Sequence, residues 1–380
     1  MKHRQFRRIL SLACAVCLLL TLGACSPVDS FLGLFGGRWV DDKPYETYKL
    51  SKYVTPGDYK GVAAALDPLT EESITAEAKL FFYDYGIPMD VADDPGKTEA
   101  AEGDAVLFSF EGWAEGIPED VLENMKSDPD MHYTLILGSG AFIAAYENEE
   151  GVEERPSFED QMIGQPRNQK FDVDVIFPDN YGAPGEPEAE LNGKPVTFKC
   201  EIFKIGEEIV TDERVQMLTG GQLETAEEFL EFVENRLVSM NQQNAFIAAY
   251  ENAEFTGKFP SREKKYWDEQ LQQDALRQGI SDVDEYVYMS TQGQYTGTAE
   301  DYRDDQIRRE MFAYAIAFSE DLNATDEQVQ ELLDEIRTMY GLTDTDGELF
   351  SEYGGKGRIL RSLVLENVAQ FLAENAAPMR

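Results

Sequence analysis

The chain has 380 residues, 42% hydrophobic and 28% charged, with a formal net charge of −40 from 33 basic against 73 acidic side chains. That composition is globular rather than disordered and long enough for two or three domains. A field of this sign repels phosphates and anionic headgroups, which excludes nucleic acid as a partner of the folded part and makes bare lipid a poor one.

The N-terminus reads as a signal. Lys2, Arg4, Arg7 and Arg8 precede a 14-residue apolar run at 9–22, and the run ends in Leu22-Gly23-Ala24-Cys25. A basic start, a short apolar run and a small-residue cleavage site make a secretory signal peptide over 1–24, too short to span a membrane comfortably. Leu-Gly-Ala-Cys resembles the bacterial lipobox, which implies lipidation of Cys25 and a location on the extracytoplasmic face of the cell membrane. Removing 1–24 takes away four basic and no acidic residues, so −40 becomes −44. Cys14, Cys17 and His3 go too, leaving Cys25, Cys200 and His132. With Cys25 lipidated, no disulfide forms within the chain, a Cys/His zinc site lacks ligands, and any His-based triad needs His132. No metal and no cofactor is expected.

Residues 25–45, rich in Pro, Gly and Ser, read as a tether, and 46–100 as an N-terminal helical and linker segment. Within the latter, TEESITAEAKLFFYDYG has helical spacing, with Thr70 as cap, Gly86 as stop and Ile74, Ala78, Leu80, Phe81 and Tyr85 on one side. VADDPGKTEAAEGD follows as a polar loop. AVLFSFEG, YTLILG, KFDVDVIF and PVTFKCEIFKI then alternate or run apolar over short spans, the pattern of a largely antiparallel sheet. Residues 207–215 lead out of it.

From about residue 212 the pattern is helical. Thr225 and Glu228 form a capping box before Leu230, Val233, Leu237, Met240 and Ile247, and Phe259-Pro260 ends that helix. EKKYWDEQLQQDALRQG, DYRDDQIRREMFAYAIAFSE, a helix capped by Thr325 and Gln328, and GRILRSLVLENVAQFLAEN make four more. DTDGE at 344–348 fails the calcium-loop pattern, because alignment on Gly347 puts Leu342 and Tyr353 at the first and twelfth positions. It reads as a turn. The heptapeptide FIAAYEN occurs at 142–148 and 246–252. Its flanks agree only at Ala141/Ala245 and Glu150/Glu254, so it does not mark a domain repeat.

EGDAVLFSFEGWAEG, YTLILGSGAFI, FEDQMIG, DVDVIFPDNYG and LNGKPVTFKCEIFKI, in that order over 101–205, resemble the FKBP-type peptidyl-prolyl isomerase domain in the form found inside trigger factor. The Phe259-Pro260 break and AFSEDLNATDEQV at 317–329 resemble the same family's C-terminal chaperone domain, here 206–380. The resemblance implies an α+β fold: an FKBP-like antiparallel sheet wrapped on a short helix, followed by an all-α trigger factor C-terminal-like chaperone domain. No ribosome-docking domain or loop matches, so no ribosome docking is expected. The implied function is a lipid-anchored extracytoplasmic peptidyl-prolyl cis-trans isomerase and chaperone. Its partners would be unfolded or proline-containing exported polypeptides, and the membrane through Cys25.

Such an isomerase needs no nucleophile. It needs an apolar, aromatic-walled cup that strips water from the amide and favours its twisted form. Carried over from the family, the catalytic set falls on Phe110, Asp120, Tyr133, Phe142, Ile143, Phe158, Tyr181 and Phe198, with Leu135, Tyr146 and Leu191 contacting substrate. The Ile143 N–H and the Tyr181 hydroxyl would bind carbonyls. Two residues compete for the floor: Tyr146 aligns without a gap, while Phe158 opens FEDQMIG, the better-preserved string, and is slightly favoured. An acidic insert, 149–157, lies between them. Glu119 stands where the family has an aromatic, so that one wall is either missing or supplied by Val121 or Leu122. The alternatives are a non-catalytic holdase with a degenerate pocket, and a solute- or peptide-binding lipoprotein, the latter disfavoured because the β-α alternation of two-lobed binders is missing.

Overall fold

The computed structural model describes residues 43–127, 132–147 and 153–379. The signal 1–24, Cys25, all but the end of the tether and part of the insert 149–157 lie outside the described residues. Two compact units form, one from residues up to Ile74 with those from Glu231 onward, the other Thr75–Leu230.

In chain order, a 3-10 turn (Leu50–Lys52) leads to β1 (Val54–Thr55) and β2 (Ala63–Ala64). α1 (Glu71–Asp84) begins where the Thr70 hydroxyl accepts the Ser73 N–H. Next come β3 (Asp90–Asp93), β4 (Ala105–Trp113), α2 (Glu119–Glu123) and β5 (Tyr133–Ile136). β6 (Tyr146–Glu147), β7 (Glu153–Arg155), α3 (Phe158–Met162) and β8 (Lys170–Ile176) follow. A 3-10 turn (Pro187–Leu191) precedes β9 (Pro195–Ile209) and α4 (Asp212–Thr219). The remainder is α5 (Ala226–Tyr250), β10 (Glu254–Phe255), α6 (Ser261–Arg277), α7 (Val283–Ser290), α8 (Ala299–Glu320), α9 (Asp326–Tyr340), α10 (Asp346–Glu352), α11 (Lys356–Asn375) and β11 (Ala377–Pro378).

In the unit 75–230, β9 is the spine of an antiparallel sheet. β4 runs along one edge of it with β5 outside, while β8 and then β3 share the other edge. Alternation turns Phe108, Val173, Val175, Phe198, Cys200 and Ile202 into one core. Leu107 pairs Lys204 but Phe108 pairs Ile202, so Phe203 is an extra, bulged residue, and the bulge lets both Ile202 and Ile205 face inward. Part of the supposed polar loop is β3, and residues 207–209 stay in the sheet by pairing with it. Gly206 permits that approach, since a Cβ there would lie 1.8 Å from the Ala92 carbonyl oxygen. α1 also buries a different stripe. Ala78 and Phe82 are inside while Leu80 and Tyr85 are exposed, because Phe82 packs on Phe229 at 5.3 Å with the Arg214 guanidinium 4.1 Å over its ring.

The helical unit includes the segment expected to be tether and linker. β1 pairs antiparallel with β10 and β2 parallel with β11, and Tyr45 is 1% exposed, its ring 4.7 Å from Tyr314. Residues 46–100 are therefore divided between the units, and Tyr45, expected at the end of the tether, belongs to the core of the helical unit. Its core joins Ile307, Met311, Phe312 and Ile316 of α8 to Val364, Val368 and Leu372 of α11. Val329, Leu332, Leu333 and Ile336 of α9 form a second stripe against α10 and α11.

α5 ends at Tyr250, well before Phe259-Pro260, and Ile247 on it is exposed. Pro260 instead caps α6. α7 and α10 were not expected, and α10 overturns the reading of DTDGE as a turn. Thr345 and Glu348 form a capping box that starts a helix there. No described helix is long and apolar enough to cross a membrane.

Candidate active site

Most of the expected site residues converge at one end of the sheet core. β4 brings Phe110, β5 brings Tyr133 and Leu135, and β9 brings Phe198. The Ser157–Asp160 capping box starts α3 with Phe158 as its first residue, fully buried. Phe142 lies 4.4 Å from Phe158, 5.5 Å from Tyr133 and 5.9 Å from Phe110. Phe198 lies 5.5 Å from Phe158 and 5.8 Å from Phe110. These edge-on and tilted contacts are the favoured ones for aromatic pairs. Tyr133 remains 46% exposed, so the cluster has a wet rim and a dry base.

Tyr181 is reached through Phe177, whose ring is 4.6 Å from it and 6.3 Å from Phe198. Asn192 pins that loop by accepting the Gly182 N–H at 2.8 Å and donating to the Gly182 carbonyl at 3.0 Å. Leu191, just before it, is buried in the same core.

Of the two floor candidates, Phe158 is in the aromatic cluster. Tyr146 stands apart on β6, half-buried and paired across to Arg155 of β7. Asp120 and Glu119 are exposed on α2, and Asp120 has no hydrogen bond or ion pair among the described residues. The same helix turns Val121 and Leu122 into the core.

Polar groups at the rim are few. The Ile143 carbonyl accepts the Phe158 N–H at 2.9 Å, while the Ile143 N–H has no partner among the described residues. Burial pushes the Cys200 thiol up to about 12, so it stays protonated and unreactive. His132 stacks on Phe203 at 4.4 Å, and its Nδ1 is buried without a partner among the described residues. No group of three or more His, Cys, Asp or Glu side chains among the described residues could hold a metal. Among the described residues the chemistry on offer is apolar enclosure plus the Ile143 N–H and the exposed Tyr133 and Tyr181 phenols, none with a hydrogen-bond partner there.

Sequence reasoning passed over two supports. Glu159 is 3% exposed beneath the rim, and Gly112 faces Phe198. A carboxylate beside a buried Phe in a capping-box helix was the available signal for the first.

No family model matches the chain. Curated relatives do. It is 28% identical over 342 residues to the trigger factor of Geobacillus sp. (strain WCH70), covering 84% of this chain and 72% of the relative. It is 26% identical over 341 residues to the trigger factor of Anoxybacillus flavithermus, covering 85% and 72%. For the trigger factor of Bacillus licheniformis the figures are 28% over 342 residues, with 84% and 72% covered. A solved structure described as "Promiscuous Substrate Recognition in Folding and Assembly Activities of the Trigger Factor Chaperone" is 16% identical with a TM-score of 0.28, covering 84% of this chain and 72% of that one. The sequence likeness, and not that structural match, makes the chain trigger factor-like over most of its length.

Proposed function

We propose that this trigger factor-like protein is a folding chaperone whose sheet unit is an FKBP-type peptidyl-prolyl cis-trans isomerase. We further propose that lipid on Cys25 holds it at the extracytoplasmic face of the membrane, where exported polypeptides are its clients. The observation that carries the isomerase reading is the convergence of Phe110, Tyr133, Phe142, Phe158 and Phe198 beside an Ile143 N–H with no partner among the described residues.

An X–Pro amide resists rotation because resonance gives its C–N bond double-bond character, a barrier of about 18–20 kcal/mol. The planar amide carries more charge separation than the twisted one. Apolar walls that exclude water therefore favour the twisted form. The Ile143 N–H would hold one substrate carbonyl and the Tyr181 hydroxyl another. Val121 and Leu122 supply aliphatic surface where Glu119 and Asp120 turn to solvent. The helical unit would hold unfolded segments on exposed apolar side chains such as Leu276, Tyr288, Met289 and Tyr340.

The exposure of Asp120 supports a second reading, a holdase that has lost catalysis. Residues 25–380, assayed on an Ala-Leu-Pro-Phe peptide, are expected to accelerate isomerisation and to suppress aggregation of an unfolded client. Suppression with a rate equal to buffer would leave only the holdase. Radiolabelled lipid should enter the full chain in a bacterial host and fail to enter Cys25→Ser; equal labelling would remove the anchor.

A further inference from the structure

We infer that Glu159 is a positioning residue: its buried carboxylate holds the rim segment 138–143 so that Phe142 forms a wall and the Ile143 N–H faces the substrate carbonyl. This rests on the isomerase reading above.

One Glu159 oxygen accepts the Gly138 and Gly140 N–H groups, both at 2.9 Å. The other accepts the Phe142 N–H at 3.1 Å, with the Ser139 hydroxyl at 3.5 Å. No Lys or Arg pairs with it among the described residues. A buried carboxylate is costly without donors, and here three backbone N–H groups and one serine hydroxyl supply them. Gly138 and Gly140 make this possible: φ values of 88° and 70° turn their N–H groups inward. Phe158 and Met162 on the same short helix are fully buried and apolar, so packing alone does not call for a charge between them.

The consequence falls on one peptide plane. Glu159 fixes the plane carrying the Phe142 N–H. The Phe158 N–H fixes the plane carrying the Ile143 carbonyl. Between them lies the plane that carries the Ile143 N–H, so α3 sets its direction from both sides. Phe142, swung by the same segment, lands 4.4 Å from Phe158.

The test compares the wild type, Glu159→Gln and Glu159→Asp on one proline tetrapeptide, with kcat and KM resolved and folded fraction measured by circular dichroism. Gln presents an NH2 donor to N–H donors. We expect its KM to rise roughly tenfold with kcat within about twofold, the signature of lost binding geometry. Asp keeps both acceptor oxygens one methylene short, and its KM should fall between. A residue that only stabilises the fold would lower apparent kcat in proportion to the unfolded fraction and leave KM alone. If the wild type is active and both variants keep its KM, the inference fails. If Gln does not fold, the KM of Asp decides. An inactive wild type overturns the isomerase reading, and this inference with it.

Discussion

The Tyr45 hydroxyl donates a 2.8 Å hydrogen bond to Glu310, joining residues 265 apart inside the helical unit. Glu310 also accepts from Trp267 Nε1 at 3.1 Å and from Arg361 at 2.6 Å, and Arg361 pairs with Glu263 at 2.6 Å. The guanidinium lies 5.1 Å from the Tyr45 ring centroid and 4.1 Å from that of Tyr266. All three charged groups are at most 3% exposed. A segment read from sequence as the end of a tether thus completes a buried ionic network.

Truncating Tyr45 should accordingly unfold the helical unit more easily. Tyr45→Ala leaves a cavity and removes one of three donors to Glu310, and is expected to cost about 3–5 kcal/mol. Tyr45→Phe removes only the hydrogen bond and should cost about 1–2 kcal/mol. Urea unfolding followed by circular dichroism measures both. Wild-type stability in Tyr45→Ala would mean the segment is not part of this core.

Alkaline pH should act through the same cluster. Burial, then the Glu310 carboxylate, pushes the Tyr45 phenol well above its ordinary 10.0. Burial raises Tyr266 to about 12. In the unfolded chain both ionise near 10, so above that pH the unfolded state binds fewer protons and stability falls as pH rises. Their contribution is complete below about pH 10 and is lost as pH climbs through the folded values. The urea midpoint should drop above that point, and less steeply in the Tyr45→Phe, Tyr266→Phe double variant. Identical slopes would refute the assignment.

The two floor candidates separate by mutation. Phe158→Ala empties a fully buried position and should destabilise the sheet unit by about 3–5 kcal/mol, and with it abolish the proposed isomerase activity. Tyr146→Ala, outside the cluster, should change stability by less than about 1 kcal/mol and leave most activity. The reverse order in a tetrapeptide assay and a melting experiment would put Tyr146 in the site.

Gly112 gives a backbone test. A Cβ there would lie 2.8 Å from the Phe198 ring and 2.9 Å from Met125 Cβ. Gly112→Ala should push Phe198 aside, costing about 1–3 kcal/mol by overpacking. Activity should fall further than Tm alone explains; a variant with native Tm and rate would show that the strand pair tolerates the methyl.

Much of this was legible in order along the chain. Alternation in AVLFSFEG and PVTFKCEIFKI located β4 and β9, because a half-buried strand must alternate. Thr225 and Glu228 marked the start of α5 through hydrogen bonds that both formed. Thr345 and Glu348 carried the same signal, which the acidic DTDGE string obscured. Less was legible where a contact depends on a distant partner. The four residues of β3 look polar because they form an edge, and only pairing with residues 206–209 makes them a strand. Phe82 was overlooked in FFYDY because the choice among neighbouring aromatics was made by Phe229 and Arg214.

FIAAYEN shows the division most plainly. At its first copy Phe142–Tyr146 run through a bend into β6, with the Phe142 N–H held by Glu159. At its second, Phe246 to Tyr250 are the last residues of α5, where Phe246 packs on Phe312 at 5.3 Å and Ala249 is buried. By itself the sequence determined that Phe, Ile and Tyr at this spacing would each seek apolar surroundings, and that flanks as different as GSG and MNQQNA would not build a repeat. It did not determine the backbone those side chains would take. Short segments have too little local preference to choose, since a helical turn gains one hydrogen bond for several fixed torsions. Tertiary partners chose instead: a carboxylate and a helix start at one copy, and the packed face of α8 at the other.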